Sequence, residues 1–253
     1  MIVSTDKNFI YARVPKTAST SLSSALEPHR RVEDRHWIGK LGRFVAPKLV
    51  HPKVVDFRAH SHWPLLAAKH IMGQEFFDGA FKFAVVRHPV DWCYSYYQHL
   101  MRSTDNSDFV AIYSDLYENP SFENFLLRLQ EHPVPPQVAM MIGEKGEIAA
   151  DKIIRMENLD EELGEVEEKL GFKIELGELN RGRYAKNIEH SERALQLIYK
   201  AFAIDFEIFG YDQKSPGQKL SLDTSRQLQA ISDKLVSISP LVFSPWEPWS
   251  NQM

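Results

Sequence analysis

Cysteine is almost missing from this chain of 253 residues, where Cys93 stands alone. A single thiol excludes an intramolecular disulfide and leaves no cysteine-based zinc site. Its neighbours Trp92 and Tyr94 mark it as a packed core thiol. Long apolar runs are missing as well. No stretch approaches the ~20 residues of a membrane-spanning helix. No secretory leader precedes the strand-like sequence that begins by Phe9. A cytoplasmic chain with no membrane span is therefore expected. Strong net charge is also absent: the formal value is −4, which argues against general nucleic-acid binding.

What is present reads as an ordinary globular protein, with 43% hydrophobic and 25% charged residues. The charge is uneven. Residues 1–60 carry eleven Lys/Arg against five Asp/Glu, whereas residues 144–180 carry five against twelve. A basic N-terminal third suits an anionic ligand, although a surface that is merely basic would look the same.

Hydrophobic patterning predicts strands at Phe9–Val14, Lys53–Arg58, Phe81–Arg87 and Lys152–Met156. It predicts helices after Ser21, over 64–72, from Pro89 to about Met101, and over 121–131, 136–142, 161–170, 192–202 and 225–238. Residues 103–120 read as a long excursion. Strands alternating with helices predict an α/β chain with a mainly parallel central sheet in a three-layer fold. The expected division is a domain over 1–211 and a C-terminal helical appendage and tail over 212–253. That appendage is expected to pack on the domain or to form a homodimer contact.

The first strand runs into Val14-Pro15-Lys16-Thr17-Ala18-Ser19-Thr20-Ser21, which opens a helix. The amides of a first helical turn lack intrahelical partners and the helix dipole is positive there, so this junction is a ready anion site. Lys16 adds a point charge, and the hydroxyls of the Thr17–Ser21 segment supply the expected cap. The string is not G-x-x-x-x-G-K-[ST], because it has no glycine, and this weakens a nucleoside-triphosphatase reading. An ordinary capped helix with a surface lysine is the alternative.

A second junction is Val85-Val86-Arg87-His88-Pro89, where Arg87 ends a strand and Ser95 lies eight residues on. A guanidinium suits forked recognition of phosphate oxygens, while a plain structural turn is the alternative. In an open α/β sheet, ligands sit beyond the carboxyl ends of the strands, where both junctions belong. A third feature is His60-Ser61-His62-Trp63-Pro64. In an extended segment His60 and His62 point to one side. A neutral histidine is suited to take a proton from a hydroxyl near pH 7. A metal-binding pair and two uninvolved loop histidines are the alternatives.

The string Arg13 to Ser21 closely resembles the 5′-phosphosulfate loop of the Golgi-type carbohydrate sulfotransferases, most of all the uronosyl 2-O-sulfotransferases that act on heparan sulfate. Arg87-x-Pro89-x-x-x-x-x-Ser95 is similar to the 3′-phosphate motif of enzymes that use 3′-phosphoadenosine 5′-phosphosulfate (PAPS). The resemblance implies a P-loop-type fold and an O-sulfotransferase working by in-line displacement. It implies that Arg13, Lys16, Thr17, Ala18, Ser19, Thr20 and Ser21 hold the 5′ end, with Lys16 on the phosphosulfate bridge. Arg87 and Ser95 take the 3′-phosphate. His62, with His60 assisting, is the implied base. In related PAPS enzymes a loop near this place closes over the nucleotide, a role the resemblance offers to Arg181 and Arg183 in a polar loop before a helix, with plain solvated arginines as the alternative.

The expected acceptor is a hydroxyl-bearing carbohydrate, with a lipid or small alcohol as alternatives. PAPS is the expected donor, 3′-phosphoadenosine 5′-phosphate the product, and no metal is expected, since no strand-end aspartate suggests a Mg²⁺ site. The resemblance runs over roughly 8–211 and thins over 103–150. If the chain is a piece of a longer anchored protein, the Golgi lumen replaces the cytoplasm. A nucleotide kinase or NTPase, and a non-catalytic nucleotide-binding module, are the rival readings.

Overall fold

The computed structural model describes residues 1–30, 62–102, 113–177, 190–211 and 223–237. The predicted strand over 53–58, the loop over 181–183 and the C-terminal tail lie outside these residues. The described strands are β1 (Ile2–Ser4), β2 (Phe9–Ala12), β3 (Phe81–Val86) and β4 (Lys152–Arg155). The described helices are α1 (Ser19–Leu26), α2 (Leu65–Met72), α3 (Gln74–Gly79), α4 (Pro89–Arg102), α5 (Ser114–Glu118), α6 (Phe122–Glu131), α7 (Leu159–Leu170), α8 (Glu192–Phe209) and α9 (Thr224–Ser237). The chain divides into two compact units. One comprises Met1–Val86, Gln137–Arg183 and Asp223–Pro245; the other comprises Arg87–Pro136, Tyr184–Leu222 and Trp246–Met253.

The first unit holds the whole sheet, in the order β1-β2-β3-β4. β2, β3 and β4 run parallel, with Ala12 opposite Ala84 and Val86 opposite Arg155. β1 pairs antiparallel to β2, Ile2 opposite Tyr11. The sequence predicts no strand before Phe9. Three residues are too few for periodicity to register, and only pairing with β2 makes them a strand. The rest of the α/β, mainly parallel expectation agrees with the structure.

Strands buried on both faces read as continuous apolar runs, as Phe-Ile-Tyr-Ala and Phe-Ala-Val-Val do here. Phe9, Tyr11, Phe83, Val85 and Ile154 make one face, packed with Leu22 and Leu26 of α1 and Leu163 and Val166 of α7. Burying each such large side chain stabilises the fold by roughly 1.5–3 kcal/mol. Ile10, Ala12, Ala84 and Val86, of opposite pleat, are also fully buried, and α2 packs against β2. Lys82 is the polar exception inside β3, 7% exposed. Its ammonium is satisfied by the carbonyls of Ala80 at 2.7 Å and Phe77 at 3.1 Å, and by Asp151 at 3.2 Å.

α9, in the segment predicted as a C-terminal appendage, packs on this same unit. The Ser232 hydroxyl donates to the Gly143 carbonyl at 2.8 Å, buried. Gly146, with φ +74°, brings its backbone so close to α9 that a Cβ would lie 2.8 Å from the Gln229 nitrogen.

The second unit is helical among the described residues. Its core joins Trp92, Cys93, Tyr96 and Leu100 of α4, Phe125, Leu126 and Leu129 of α6, and Ile198, Tyr199, Phe202 and Phe206 of α8. Pro89 opens α4, as expected for a residue whose missing N–H costs nothing in a first turn. Two sequence expectations need correction here. The excursion predicted over 103–120 contains α5, held by the buried Leu116. The helix predicted to end at Phe202 runs on to Phe209, with Phe202 itself out of helical geometry at φ −123°, ψ 26°. Phe202 is buried edge-on against Trp92, ring centroids 5.3 Å apart. That tertiary contact holds the kink without ending the helix.

Candidate functional site

The site is built around the exit from β2. Arg13 follows the strand, Val14 and Pro15 are buried, and Lys16 and Ala18 take left-handed backbone conformations, φ 64° and 55°. Neither is a glycine, and an L-residue in that region costs roughly 1–2 kcal/mol. Left-handed residues alternating with an ordinary one form the backbone pattern of an anion-binding nest, in which successive N–H groups turn to one concavity. α1 then begins at Ser19, adding the amides of its first turn.

The predicted hydroxyl cap is corrected by this geometry. The residue before α1 is Ala18 in left-handed conformation, and no side chain caps the helix. Thr17, fully buried, donates its hydroxyl to the Val14 carbonyl at 2.9 Å and braces the turn from inside. Ser23 donates to the Ser19 carbonyl at 2.6 Å. Ser19 and Ser21 are buried, while Thr20 is exposed.

His62 joins this turn from far along the chain. Its Nδ1 lies 2.8 Å from the Arg13 carbonyl oxygen. A carbonyl only accepts, so Nδ1 carries the hydrogen and the neutral ring has its lone pair on Nε2. Burial pushes the His62 pKa down to about 3. The bond to Arg13 works against this shift, and the amino group of Met1, Arg13 and Lys16 add to it with their positive charges. The imidazole is therefore neutral near pH 7. Trp63, the next residue, is wholly buried, and Pro64 precedes α2, so the ring is anchored on its C-terminal side as well.

Two further polar groups sit unsatisfied beside this turn: the Tyr11 hydroxyl and the Arg13 Nε are buried without a hydrogen-bond partner among the described residues. Burial raises the Tyr11 pKa and lowers that of Arg13. Buried polar atoms without partners are uncommon in a finished fold and suit a place that takes a ligand.

The structure thus brings Arg13, Lys16, Thr17, Ala18, Ser19, Thr20, Ser21 and His62 to one end of the first unit. Arg87 and Ser95 belong to the second unit, each 7% exposed. Arg87 follows β3 directly, and Ser95 lies in the second turn of α4. His88 opens α4 by accepting the Trp92 amide on its carbonyl at 2.9 Å, and its ring meets Tyr211 and Phe206 edge-on. His60, Arg181 and Arg183 lie outside the described residues. Two features escaped the sequence reading: the left-handed Lys16 and Ala18, which residue type disfavours, and the Arg13 main-chain carbonyl, which no side-chain pattern signals.

Among the described residues, no group of three His, Cys, Asp or Glu side chains is placed to hold a metal ion. No helix among them is long and apolar enough to cross a membrane. The residues of the turn fit a phosphate-bearing group: backbone amides of the turn and of the first helical turn, a lysine, an arginine whose Nε is buried, and a histidine kept neutral chiefly by burial, with nearby positive charge adding to it. Searches of curated proteins and of solved structures each find no match. A family model described as the sulfotransferase family matches residues 1–212, and that span contains both junctions and His62. With most of its length matched, the chain belongs to the sulfotransferase family.

Proposed function

We propose that the protein is a PAPS-dependent O-sulfotransferase acting on a carbohydrate hydroxyl, with its 5′-phosphosulfate turn in the manner of a P-loop. The observation that carries this reading is His62 anchored on Arg13, three residues before Lys16. A proton acceptor and an anion-holding turn are thereby built into one place. PAPS, when bound, supplies the sulfuryl group. The backbone N–H groups of the Thr17–Ser21 segment and the Lys16 ammonium hold the 5′ end and stabilise negative charge on the departing phosphate. Arg87 and Ser95 hold the 3′-phosphate, which distinguishes the donor from other adenosine nucleotides. Nε2 of His62 takes the proton of the acceptor hydroxyl as its oxygen attacks, a contribution of typically 10²–10⁴-fold.

The acceptor class, a sugar or glycan with a lipid or small alcohol as alternatives, rests on the likeness to the carbohydrate sulfotransferases, and the Arg13–Ser21 string, which serves the donor, does not choose among acceptors. The test is transfer from radiolabelled PAPS, with EDTA present, to a panel of glycans, lipid alcohols and small alcohols. Labelling of a glycan is the expected result. In parallel, 3′-phosphoadenosine 5′-phosphate at ~100 times its Kd should stabilise the fold by about 2.7 kcal/mol. Equal stabilisation by ATP with Mg²⁺, together with no labelled acceptor, overturns the reading in favour of a kinase or NTPase.

A further inference from the structure

We infer that the main-chain carbonyl of Arg13 is the positioning group of the base: it locks His62 in the Nδ1–H form and ties the imidazole to the Lys16 turn, so that base and donor loop move as one body. The catalytic meaning of this device rests on the proposed role of His62, but the device itself is a statement about geometry.

The segment around Arg13 has little freedom. The Val14 amide donates to the Ala12 carbonyl at 3.1 Å, and the Val14 carbonyl accepts the Thr17 hydroxyl at 2.9 Å. Both bonds bracket Arg13, so its carbonyl is held by the strand end behind it and by the turn ahead. From the other direction His62 is fixed by the buried Trp63 and by the start of α2, where the Ala67 amide donates to the Pro64 carbonyl at 3.0 Å. The 2.8 Å bond closes a link between residues 49 apart in sequence.

Two consequences follow from chemistry alone. A ring nitrogen that donates to a carbonyl leaves the opposite nitrogen as the acceptor, which is the form a general base requires. An atom placed within about 0.5 Å of its productive position by packing and hydrogen bonds keeps its geometry when substrate arrives. The turn that is to hold the donor therefore also sets the aim of Nε2. Any shift of Lys16 and Ala18 is passed to the base through two residues of buried backbone.

The experiment compares two substitutions in the full chain with a measurement on the unaltered protein. In His62→Asn the side-chain amide nitrogen occupies the place of Nδ1 and preserves the bond to Arg13, while the base is gone. In His62→Gln the amide lies nearer the place of Nε2, and the bond is lost. The expected result is a Tm for His62→Asn within about 1 °C of the parent and an affinity for 3′-phosphoadenosine 5′-phosphate within about twofold. His62→Gln should lose about fivefold in that affinity, as expected for one hydrogen bond, and should melt lower. Neither variant should transfer sulfate.

Nitrogen-15 NMR of the unaltered protein, with the His62 signal assigned as the one lost in either variant, should show Nδ1 protonated and Nε2 bare at pH 6–7. The opposite tautomer, or identical melting and affinity of the two variants, overturns the inference. The tautomer and the melting comparison need no nucleotide. A failure of the donor assignment would appear separately, as absent nucleotide binding by the unaltered protein.

Discussion

Ala12 and Ala84 lie opposite one another in adjacent parallel strands, so β2 and β3 leave the sheet at the same edge. Three residues past β2 the chain turns through Pro15 into Lys16, and directly past β3 it presents Arg87. In the proposed reading Arg87 takes the 3′-phosphate of the donor. Arg87→Ala should then weaken binding of 3′-phosphoadenosine 5′-phosphate by about 10–100-fold, the worth of charge-assisted hydrogen bonds of roughly 1.5–3 kcal/mol. Binding of adenosine 5′-phosphate, which lacks the 3′ group, should change little. Calorimetric titration of both ligands decides the point, and an equal loss for both would remove Arg87 from the 3′-phosphate.

The left-handed Ala18 is a strained position that glycine would relieve. Ala18→Gly should raise the stability of the ligand-free protein by up to about 1 kcal/mol. Ala18→Val, with a branched Cβ, should lower it by more than that and impair nucleotide binding too. Denaturant melts of the three proteins test this. Unchanged stability of the valine variant would mean that the turn does not hold its left-handed form in solution.

His62 makes the fold sensitive to acid. Its folded pKa of about 3 lies below the ordinary 6.5, so below pH 6.5 the unfolded chain binds a proton that the folded one refuses. Its contribution is therefore fully present above about pH 6.5. It is lost as the pH falls towards about 3, with a slope approaching about 1.4 kcal/mol per pH unit. His62→Asn should flatten this part of the stability–pH curve while leaving the curve above pH 7 in place. Equal slopes in parent and variant would show that His62 does not stay a neutral ring in the folded protein.

Gly146 reports on α9. A methyl group there would meet the Gln229 backbone at under 3 Å, on a residue whose φ of +74° already disfavours a side chain. Gly146→Ala should destabilise the protein by more than 1 kcal/mol. Ser232→Ala, which removes the shorter of two hydrogen bonds to the buried Gly143 carbonyl and leaves the Gly146 amide at 3.2 Å, should cost about 0.5–1.5 kcal/mol. Thermal melts that match the parent for both variants would show that α9 does not hold this packing.

The amino-acid sequence by itself determined the local elements and the chemical vocabulary of the site. The apolar runs of β2 and β3, Pro89 at the head of α4, and the Arg13–Ser21 and Arg87–Ser95 strings were all legible, because periodicity, proline geometry and charge are local properties. The histidine next to Trp63-Pro64 was legible as a candidate for the same reason. Only the tertiary structure decided that Ile2–Ser4 is a strand, that α8 continues past Phe202, and that Ala18 rather than a hydroxyl precedes α1. It alone decided that His62 rests on the Arg13 carbonyl. Each of these depends on a neighbour far along the chain, supplying a paired strand, a facing ring or a backbone oxygen, and no window of adjacent residues contains that energy.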